Sequence, residues 1–322
     1  MNHQIVRLGL ASLATAFLAL GTTSAQAQTA YGVSANGTLV RFDVASPGAV
    51  TSVGNLGFTP EGIDFRPSTS KLFAIDIGPV TTRLFTIDLD TGSAVQVGSG
   101  FNSAGSVGLL NYDLTGGQSF GFDFNPKTLQ ADGSIRIRLT GSSGVNLRLN
   151  SDTGGIAAVD GMLDYPAADP NGPAVPSVTA SAYINNVAQA GGTTLLFDID
   201  TARDALVTQN PPNAGQLNTL AGGGLLGVNT TGVAGFDIYT EPTSGVNNFA
   251  YAALQLEGER SQKLFSIELS TGAATLIGSI GADVSGGFAI VPVPELATTG
   301  TAAFGGLMVL AGLIRLRKNR TA

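Results

Sequence analysis

Two segments of the chain place apolar and polar residues in the same order, and each predicts a β-hairpin. They are residues 83–98, RLFTIDLDTGSAVQVG, and residues 263–278, KLFSIELSTGAATLIG. Apolar and β-branched residues that favour strands lie on both sides of a Thr-Gly turn, whose glycine supplies the positive φ that a tight turn needs. A recurrence this close predicts a repeat architecture.

A second pattern, Gly-apolar-Asp-Phe, stands before these hairpins and predicts one further strand in each repeat. Its copies are residues 62–65, 121–124 and 235–238, with looser copies at 161–165 and 287–290. Except for the last copy, each begins a predicted antiparallel meander of four strands. Within the second meander, Ile135, Ile137 and Leu139 alternate with Arg136 and Arg138. This alternation predicts a strand with one buried face and one face that is exposed to solvent or paired with opposite charges.

The two ends of the repeat region complement each other. Residues 31–54 contain hairpin strands without the strand that precedes them elsewhere, and residues 287–290 provide that strand without a hairpin after it. Pairing them would close a ring of five four-stranded blades and leave no open sheet edge. We therefore predict an all-β protein, a five-bladed β-propeller closed by its C-terminal strand. A six-bladed ring follows if residues 98–117 contain further strands, and an open β-solenoid is the third alternative.

Both ends of the sequence carry targeting patterns. An apolar run over residues 8–20 leads to Ala25-Gln26-Ala27, which predicts a Sec-type signal peptide over residues 1–27, with a retained anchor as the alternative. Residues 28–291 are the predicted propeller domain. Residues 292–322 combine an apolar run with a final basic cluster, which predicts a transmembrane helix and a cytoplasmic tail. We expect export to the periplasm, the outer surface or the medium, with transient anchoring in the inner membrane.

Charge and missing residue types exclude several classes of function. Without the two terminal segments, 11 of the 16 basic and 22 of the 23 acidic residues remain, so the domain carries about −11. This charge argues against nucleic acid and anionic lipid surfaces as partners. The single histidine, His3, lies in the signal peptide, and the chain has no cysteine. The mature domain therefore has no Ser-His-Asp or Cys-His site, no usual zinc site and no disulfide.

One candidate site follows from the repeat itself. Asp64, Asp123 and Asp237 share one position of the Gly-apolar-Asp-Phe strand, and Asp164 takes it in the looser copy. That strand lines the channel of a propeller, so the carboxylates would form a ring able to hold Ca²⁺, which prefers oxygen ligands. The alternative is that each aspartate accepts N–H groups within its own blade. We expect no other cofactor.

A second candidate site consists of amide and arginine side chains. Asn146, Arg148 and Asn150 lie in one strand, and Asn210 and Asn213 lie in one loop. Their donors and acceptors would suit a hydroxyl-rich ligand such as polysaccharide. The alternative is that they stabilise an ordered loop, and the absence of Trp weakens the case for carbohydrate.

Two carboxylate pairs have the composition of a glycosidase site, which needs two carboxyl groups about 5 to 9.5 Å apart. They are Asp88 with Asp90, and Asp198 with Asp200. Both pairs stand beside Thr-Gly or Thr-Ala at predicted strand ends, where Asp forms turn hydrogen bonds. We assign them to turn geometry.

Two resemblances to known families add to these predictions. The motifs at residues 62–67, 121–126, 146–150 and 209–213 together resemble the domain-of-unknown-function 4394 family, which implies a secreted propeller-like protein. The C-terminal segment, with Pro294-Glu295 before a glycine-rich apolar run and a basic end, resembles the PEP-CTERM sorting signal. Leu296 departs from that pattern, which has a second proline. This resemblance implies recognition and cleavage by an exosortase.

These features together predict an exported, non-enzymatic propeller with a structural or interaction role at the cell surface or in the extracellular matrix. The expected partners are an exosortase-type enzyme and an exopolysaccharide or other surface proteins. The alternative is a carboxylate-dependent, Ca-assisted enzyme that acts on extracellular glycans or lactone-like substrates.

Overall fold

The computed structural model describes residues 28–127, 135–187, 193–241 and 247–292. These residues form strands β1 to β22 and two short 3₁₀ turns, Pro212–Ala214 and Ala221–Gly223. Across these ranges no helix has the length and apolar character needed to cross a membrane. The helix predicted within residues 292–322 lies outside the described residues.

The strands are short and follow one another closely along the chain. The first eleven are β1 (Thr29–Val33), β2 (Thr38–Asp43), β3 (Thr51–Asn55), β4 (Gly62–Arg66), β5 (Lys71–Ile77), β6 (Thr81–Ile87), β7 (Ala94–Asn102), β8 (Ala104–Val107), β9 (Leu110–Asp113), β10 (Phe120–Phe124) and β11 (Arg136–Gly141). The others are β12 (Asn146–Asn150), β13 (Ile156–Val159), β14 (Val178–Tyr183), β15 (Leu196–Asp200), β16 (Ala205–Gln209), β17 (Leu217–Thr219), β18 (Thr230–Thr240), β19 (Asn248–Leu256), β20 (Gln262–Ile267), β21 (Ala274–Ser279) and β22 (Phe288–Ile290).

Five antiparallel four-stranded sheets form the blades of a ring. From the axis outward, blade 1 contains β22, β1, β2 and β3, blade 2 contains β4 to β7, blade 3 contains β10 to β13, blade 4 contains β14 to β17, and blade 5 contains β18 to β21. The inner strands β4, β10, β14, β18 and β22 each contact the next, and β22 contacts β4. The predicted five-bladed propeller is confirmed.

Blade 1 closes the ring in the predicted way. The C-terminal strand β22 pairs antiparallel with β1, where Ala30 lies opposite Ile290 and Gly32 lies opposite Phe288. The six-bladed alternative is wrong, because residues 98–117 contribute the end of β7 and the β8–β9 hairpin rather than a blade. Tyr112 and Leu114 tie this insertion to the apolar cluster of blades 2 and 3.

The glycine of the repeated motif is needed where inner strands approach one another. A Cβ atom on Gly62 would lie 2.6 Å from Cβ of Phe122 in the next blade. A Cβ atom on Gly235 would lie 2.7 Å from Cβ of Phe288. Both distances are shorter than van der Waals contact, so the space at the axis selects a residue without a side chain.

The predicted start of the third meander is wrong. The inner strand of blade 4 is β14, whereas residues 161–165 contain only an isolated bridge from Asp164 to Gln216. Tyr165 is followed by Pro166, which has no N–H group to donate to a ladder. Ala182, not Asp164, occupies the position that aspartate takes in the neighbouring blades. The residue after it, Tyr183, donates its N–H to the preceding blade as Phe124 does.

The apolar core is divided among the spaces between blades. Clusters of buried apolar side chains join blade 1 to blade 2, blade 2 to blade 3, blade 4 to blade 5, and blade 5 to blade 1. A smaller cluster joins blade 4 to the preceding loop through Leu163 and Tyr165. Among the described residues, no such cluster spans blades 3 and 4, and polar side chains fill that space instead.

Candidate functional sites

The three aspartates of the repeated motif meet at the axis. Asp64 on β4, Asp123 on β10 and Asp237 on β18 each place a carboxylate oxygen within 4.8 Å of the others, and all three residues are buried. The corresponding positions of blades 4 and 1 are Ala182 and Ala289. The cluster is therefore a group of three carboxylates and not a full ring, and Asp164 is not part of it.

Each of these carboxylates also connects its blade to the next one. Asp64 accepts the N–H of Phe124 at 2.7 Å, Asp123 accepts that of Tyr183 at 3.1 Å, and Asp237 accepts that of Ile290 at 2.6 Å. Asp64 and Asp237 also accept the N–H of the residue that follows them. Since inner strands of neighbouring blades share no ladder, the carboxylates supply the acceptors that these buried N–H groups need.

Burial makes the charged form of the cluster costly. It raises the pKa of Asp64 and of Asp123 well above the usual range, and repulsion among the three carboxylates raises both further. Burial also raises the pKa of Asp237 to about 6, against the lowering effect of its two N–H donors. Three oxygen ligands that converge in this way can share protons or hold a hard cation such as Ca²⁺.

A recess at the face where the inner strands begin contains one further acidic group. Glu61 lines it together with Ser181 and Ser285. The Glu61 carboxylate accepts the N–H of Ile77 at 2.7 Å, and burial raises its pKa to about 7. A carboxyl group with this pKa is suited to general acid or base chemistry.

A polar network replaces the apolar core between blades 3 and 4, and Arg138 is its centre. This arginine is 1% exposed. It donates to Asn146 and Asp160 at 2.7 Å, to Asn213 at 2.8 Å and to the hydroxyl of Tyr183 at 3.3 Å. Because the partners come from both blades and from two loops, a buried arginine holds this interface together.

Arg148 completes the network from the next strand of blade 3. Its Nε and Nη2 groups donate to the two oxygens of Asp160, each at 2.8 Å, in a bidentate pair. Asp160 is buried and accepts from both Arg138 and Arg148. One carboxylate therefore balances one of the two guanidinium charges.

A cavity of about 350 Å³ opens beside this network, at the face where the inner strands end. Arg148, Asn210 and Asn213 line it, so the structure brings these three predicted ligand residues together. Asn146 lies behind the wall, where it donates to the carbonyls of Gly161 and Pro212 and accepts from Arg138. Asn150 instead accepts two N–H groups of its own hairpin turn.

Further lining residues of this cavity were not among the predicted ligands. They are Asn125, Lys127, Arg136, Arg138, Tyr183, Thr194, Leu195, Leu196, Gln209 and Pro212. For Arg136 and Arg138 of β11, the strict alternation with apolar residues predicted an exposed or charge-paired face but no ligand site. Gln209 begins the motif at residues 209–213 but was not among the predicted ligands. It is fully buried, and its Oε1 atom has no hydrogen-bond partner among the described residues.

The carboxylate pairs assigned to turns have different outcomes. Asp88 accepts the N–H groups of Asp90 and Thr91, and the hydroxyl and N–H of Thr91 hold its pKa below the usual value. Asp200 also caps a turn, by accepting from Ala202. For Asp198 the assignment is wrong, because it lies within β15 and is fully buried, and burial raises its pKa to about 7.

Comparison with known proteins gives a family and a set of distant folds. The family model described as "Domain of unknown function (DUF4394)" matches residues 38–289. No curated protein matches the chain.

Several solved structures are similar in fold at low identity. A putative 6-phosphogluconolactonase from Bacteroides uniformis has 10% identity over 80% of this chain and 83% of that one, with a TM-score of 0.36. The periplasmic gluconolactonase PpgL of Pseudomonas aeruginosa has 18% identity, 80% and 68% coverage and a TM-score of 0.34. A putative exo-β-1,3-galactanase from Bifidobacterium bifidum has 14% identity, 77% and 86% coverage and a TM-score of 0.42. These likenesses are of fold alone.

Proposed function

The chain belongs to the DUF4394 family, a domain of unknown function, and we propose that it acts as an exported, non-enzymatic interaction module of the cell surface or extracellular matrix. One observation carries the proposal. Arg148 of blade 3 and the loop residues Asn210 and Asn213 of blade 4 line one cavity, although 62 residues separate Arg148 from Asn210. A concave site with few convergent polar groups is typical of ligand binding.

The chemistry of this cavity supports binding rather than catalysis. In the part of the chain that the structure describes, its lining contains guanidinium, ammonium, amide, hydroxyl and apolar groups and no carboxylate. Arginine and amide groups recognise ligands by directed hydrogen bonds, but they are poor general acids and bases at neutral pH because their pKa values lie far from it.

We assign a structural role to the axial carboxylates. Asp64, Asp123 and Asp237 would together hold one Ca²⁺ ion, which would compensate the repulsion of three buried charges while their N–H contacts connect the blades. This assignment needs no catalytic step. It rests on oxygen donors from three different blades that meet at one point.

A second candidate function is a carboxylate-dependent enzyme on extracellular glycans or lactone-like substrates. Glu61 favours it, since this carboxyl group titrates near neutral pH in a recess at the mouth of the channel. The recess lies at the opposite face from the cavity of Arg148, so the two functions are separable by mutation.

A glycan-array screen tests the proposal. We expect the purified protein to bind at least one hydroxyl-rich polymer, and the Arg148→Ala variant to lose most of that signal because the cavity loses a charged donor. Arg83→Ala is the matched control, since Arg83 also pairs with one aspartate but lies in blade 2. No binding to any polymer would contradict the proposal. Release of shorter products, lost in Glu61→Gln, would favour the enzyme instead.

We also propose that residues 292–322 act as a PEP-CTERM-type sorting segment for an exosortase. Deletion of residues 294–320 should release the protein into the medium, as measured by immunoblot of cells and supernatant. Alanine in place of Pro294 and Glu295 should preserve anchoring but block cleavage, seen as a larger mass. Unchanged retention of the deletion variant would contradict the proposal. An unchanged mass of the alanine variant would indicate that the tail is a plain anchor that is not cleaved at this motif.

A further inference from the structure

We propose that the cavity between blades 3 and 4 binds an acidic sugar unit, that is, a hydroxylated ring that carries a carboxylate or a phosphate. This inference rests on the proposed function and narrows it from hydroxyl-rich ligands in general to anionic ones. Three features of the cavity support it: its charge, its preorganised arginines and a buried acceptor without a partner.

The charge of the cavity is opposite to that of the protein. Four of the eleven Lys and Arg residues between positions 28 and 292 line it, namely Lys127, Arg136, Arg138 and Arg148, and its described lining includes no acidic residue. Arg138 pairs with Asp160, behind the wall, and its charge also acts on Asp198. Arg138 and Arg148 share Asp160, so this carboxylate balances only one of the two guanidinium charges. In a domain of net charge about −11, such a concentration provides an attractive site for an anion.

The guanidinium groups are held in place before any ligand arrives. Arg138 uses four of its five N–H groups on Asn146, Asp160, Asn213 and Tyr183. Arg148 is fixed by its bidentate pair with Asp160, and its Nη1 group has no hydrogen-bond partner within the described ranges. A fixed guanidinium with spare donors binds an oxyanion at little cost in conformational entropy.

The remaining lining indicates a ring with hydroxyl groups rather than a bare inorganic anion. Gln209 donates to the carbonyl of Pro212 at 2.6 Å, while its buried Oε1 atom has no partner among the described residues. A ligand hydroxyl would supply the missing donor. Leu195, which is only partly buried, adds apolar surface, against which the C–H face of a sugar ring can pack.

Isothermal titration calorimetry of the full-length protein at low salt tests this inference. The ligands are a hexuronate trisaccharide, its neutral hexose counterpart, a hexose phosphate and inorganic phosphate. We expect the hexuronate or the hexose phosphate to bind at least tenfold more tightly than the neutral sugar and than inorganic phosphate, with affinity that falls as salt is added. Arg148→Gln should weaken this binding by about tenfold to a hundredfold. Arg83→Gln should leave it unchanged.

The outcomes separate this inference from the proposed function. Preference for either acidic sugar, lost in Arg148→Gln, supports the inference, and the preferred ligand identifies the anion. Equal binding of acidic and neutral sugars, lost in Arg148→Gln, overturns the inference and leaves the proposed ligand site intact. Binding of inorganic phosphate as tight as that of the sugars also overturns it. If protein with an unchanged thermal midpoint binds none of the ligands, the inference is overturned. If the glycan array also shows no binding, the proposed site is overturned as well.

Gln209→Leu gives a second test that does not remove a charge. It deletes the partnerless acceptor, together with the hydrogen bond to Pro212, at similar volume. With an unchanged thermal midpoint, we expect weaker binding of the acidic sugar and unchanged binding of inorganic phosphate. An unchanged affinity for the sugar would contradict the role of a ligand hydroxyl at this position.

Discussion

Truncation of the chain after Ser285 is expected to abolish folding of the whole propeller. The deletion removes β22, whose residues Phe288, Ala289 and Ile290 are each at most 3% exposed. It also leaves β1 unpaired at the axis and removes the N–H partner of Asp237. Burial of two large apolar side chains alone contributes about 3 to 6 kcal/mol, and with the lost ladder this approaches the whole stability of a typical domain, about 5 to 15 kcal/mol.

Circular dichroism and urea titration check this expectation. Truncation after Pro292 is the matched control, because it keeps β22 and removes only residues beyond the described part of the chain. We expect it to unfold cooperatively like the parent. Phe288→Ala should be intermediate, with a loss of about 3 to 5 kcal/mol. A cooperative transition of parental midpoint in the Ser285 truncation would show that the ring does not depend on its closing strand.

The second large effect is a loss of stability as pH rises from 5 to 8 in the presence of a chelator. Folding raises the pKa of Asp237 from 3.8 to about 6 and raises those of Asp64 and Asp123 well above 3.8. In this window the folded protein therefore keeps protons that the unfolded chain has released, so the free energy of unfolding falls with pH. Over the whole pH range in which it titrates, Asp237 alone lowers the free energy of unfolding by about 3 kcal/mol. Roughly half of this loss falls between pH 5 and 8.

Calcium and one isosteric change test the origin of this effect. Ca²⁺ should raise the thermal midpoint at pH 8 and have little effect at pH 5, where protons occupy the carboxylates. Asp237→Asn should lessen the pH dependence, whereas Asp88→Asn, on an exposed turn, should not. The raised pKa values of Glu61 and Asp198 account for part of the dependence that remains. Stability that is constant or rises from pH 5 to 8 in chelator would contradict the raised pKa values. The lack of any gain with Ca²⁺ at pH 8 would exclude the proposed ion.

The sequence predicts the fold well because the repeat constrains it at every level. The space at the axis selects Gly62, and the N–H donors of the next blade select Asp64. The glycine recurs in four of the five blades and the aspartate in three, with Ala289 in its place in blade 1. Blade 4 has neither, since its inner strand has Ala180 and Ala182 at these positions. The sequence of residues 161–165 matches the motif better than that of β14 does, yet residues 161–165 lie outside the blade.

The candidate sites are less predictable because they depend on contacts between distant parts of the chain. Arg148, Asn210 and Asn213 could be identified as unexplained polar residues, and the structure brings them to one cavity. Arg138 could be expected on a charge-paired face, but its acceptor Asn213 lies 75 residues away. No local sequence pattern predicts that the interface between blades 3 and 4 has a guanidinium network in place of apolar packing.

The closing pair β1 and β22 also determines how the protein is presented to its surroundings. Since Thr29 accepts the N–H of Val291, the incoming and outgoing chain leave the ring side by side. They leave at the face where the inner strands end, which is the face that bears the cavity of Arg148. A short tether on either terminus would therefore place this cavity on the side of the tethering surface and the recess of Glu61 on the far side. Force applied to both termini would break the hydrogen bonds between β1 and β22 one after another.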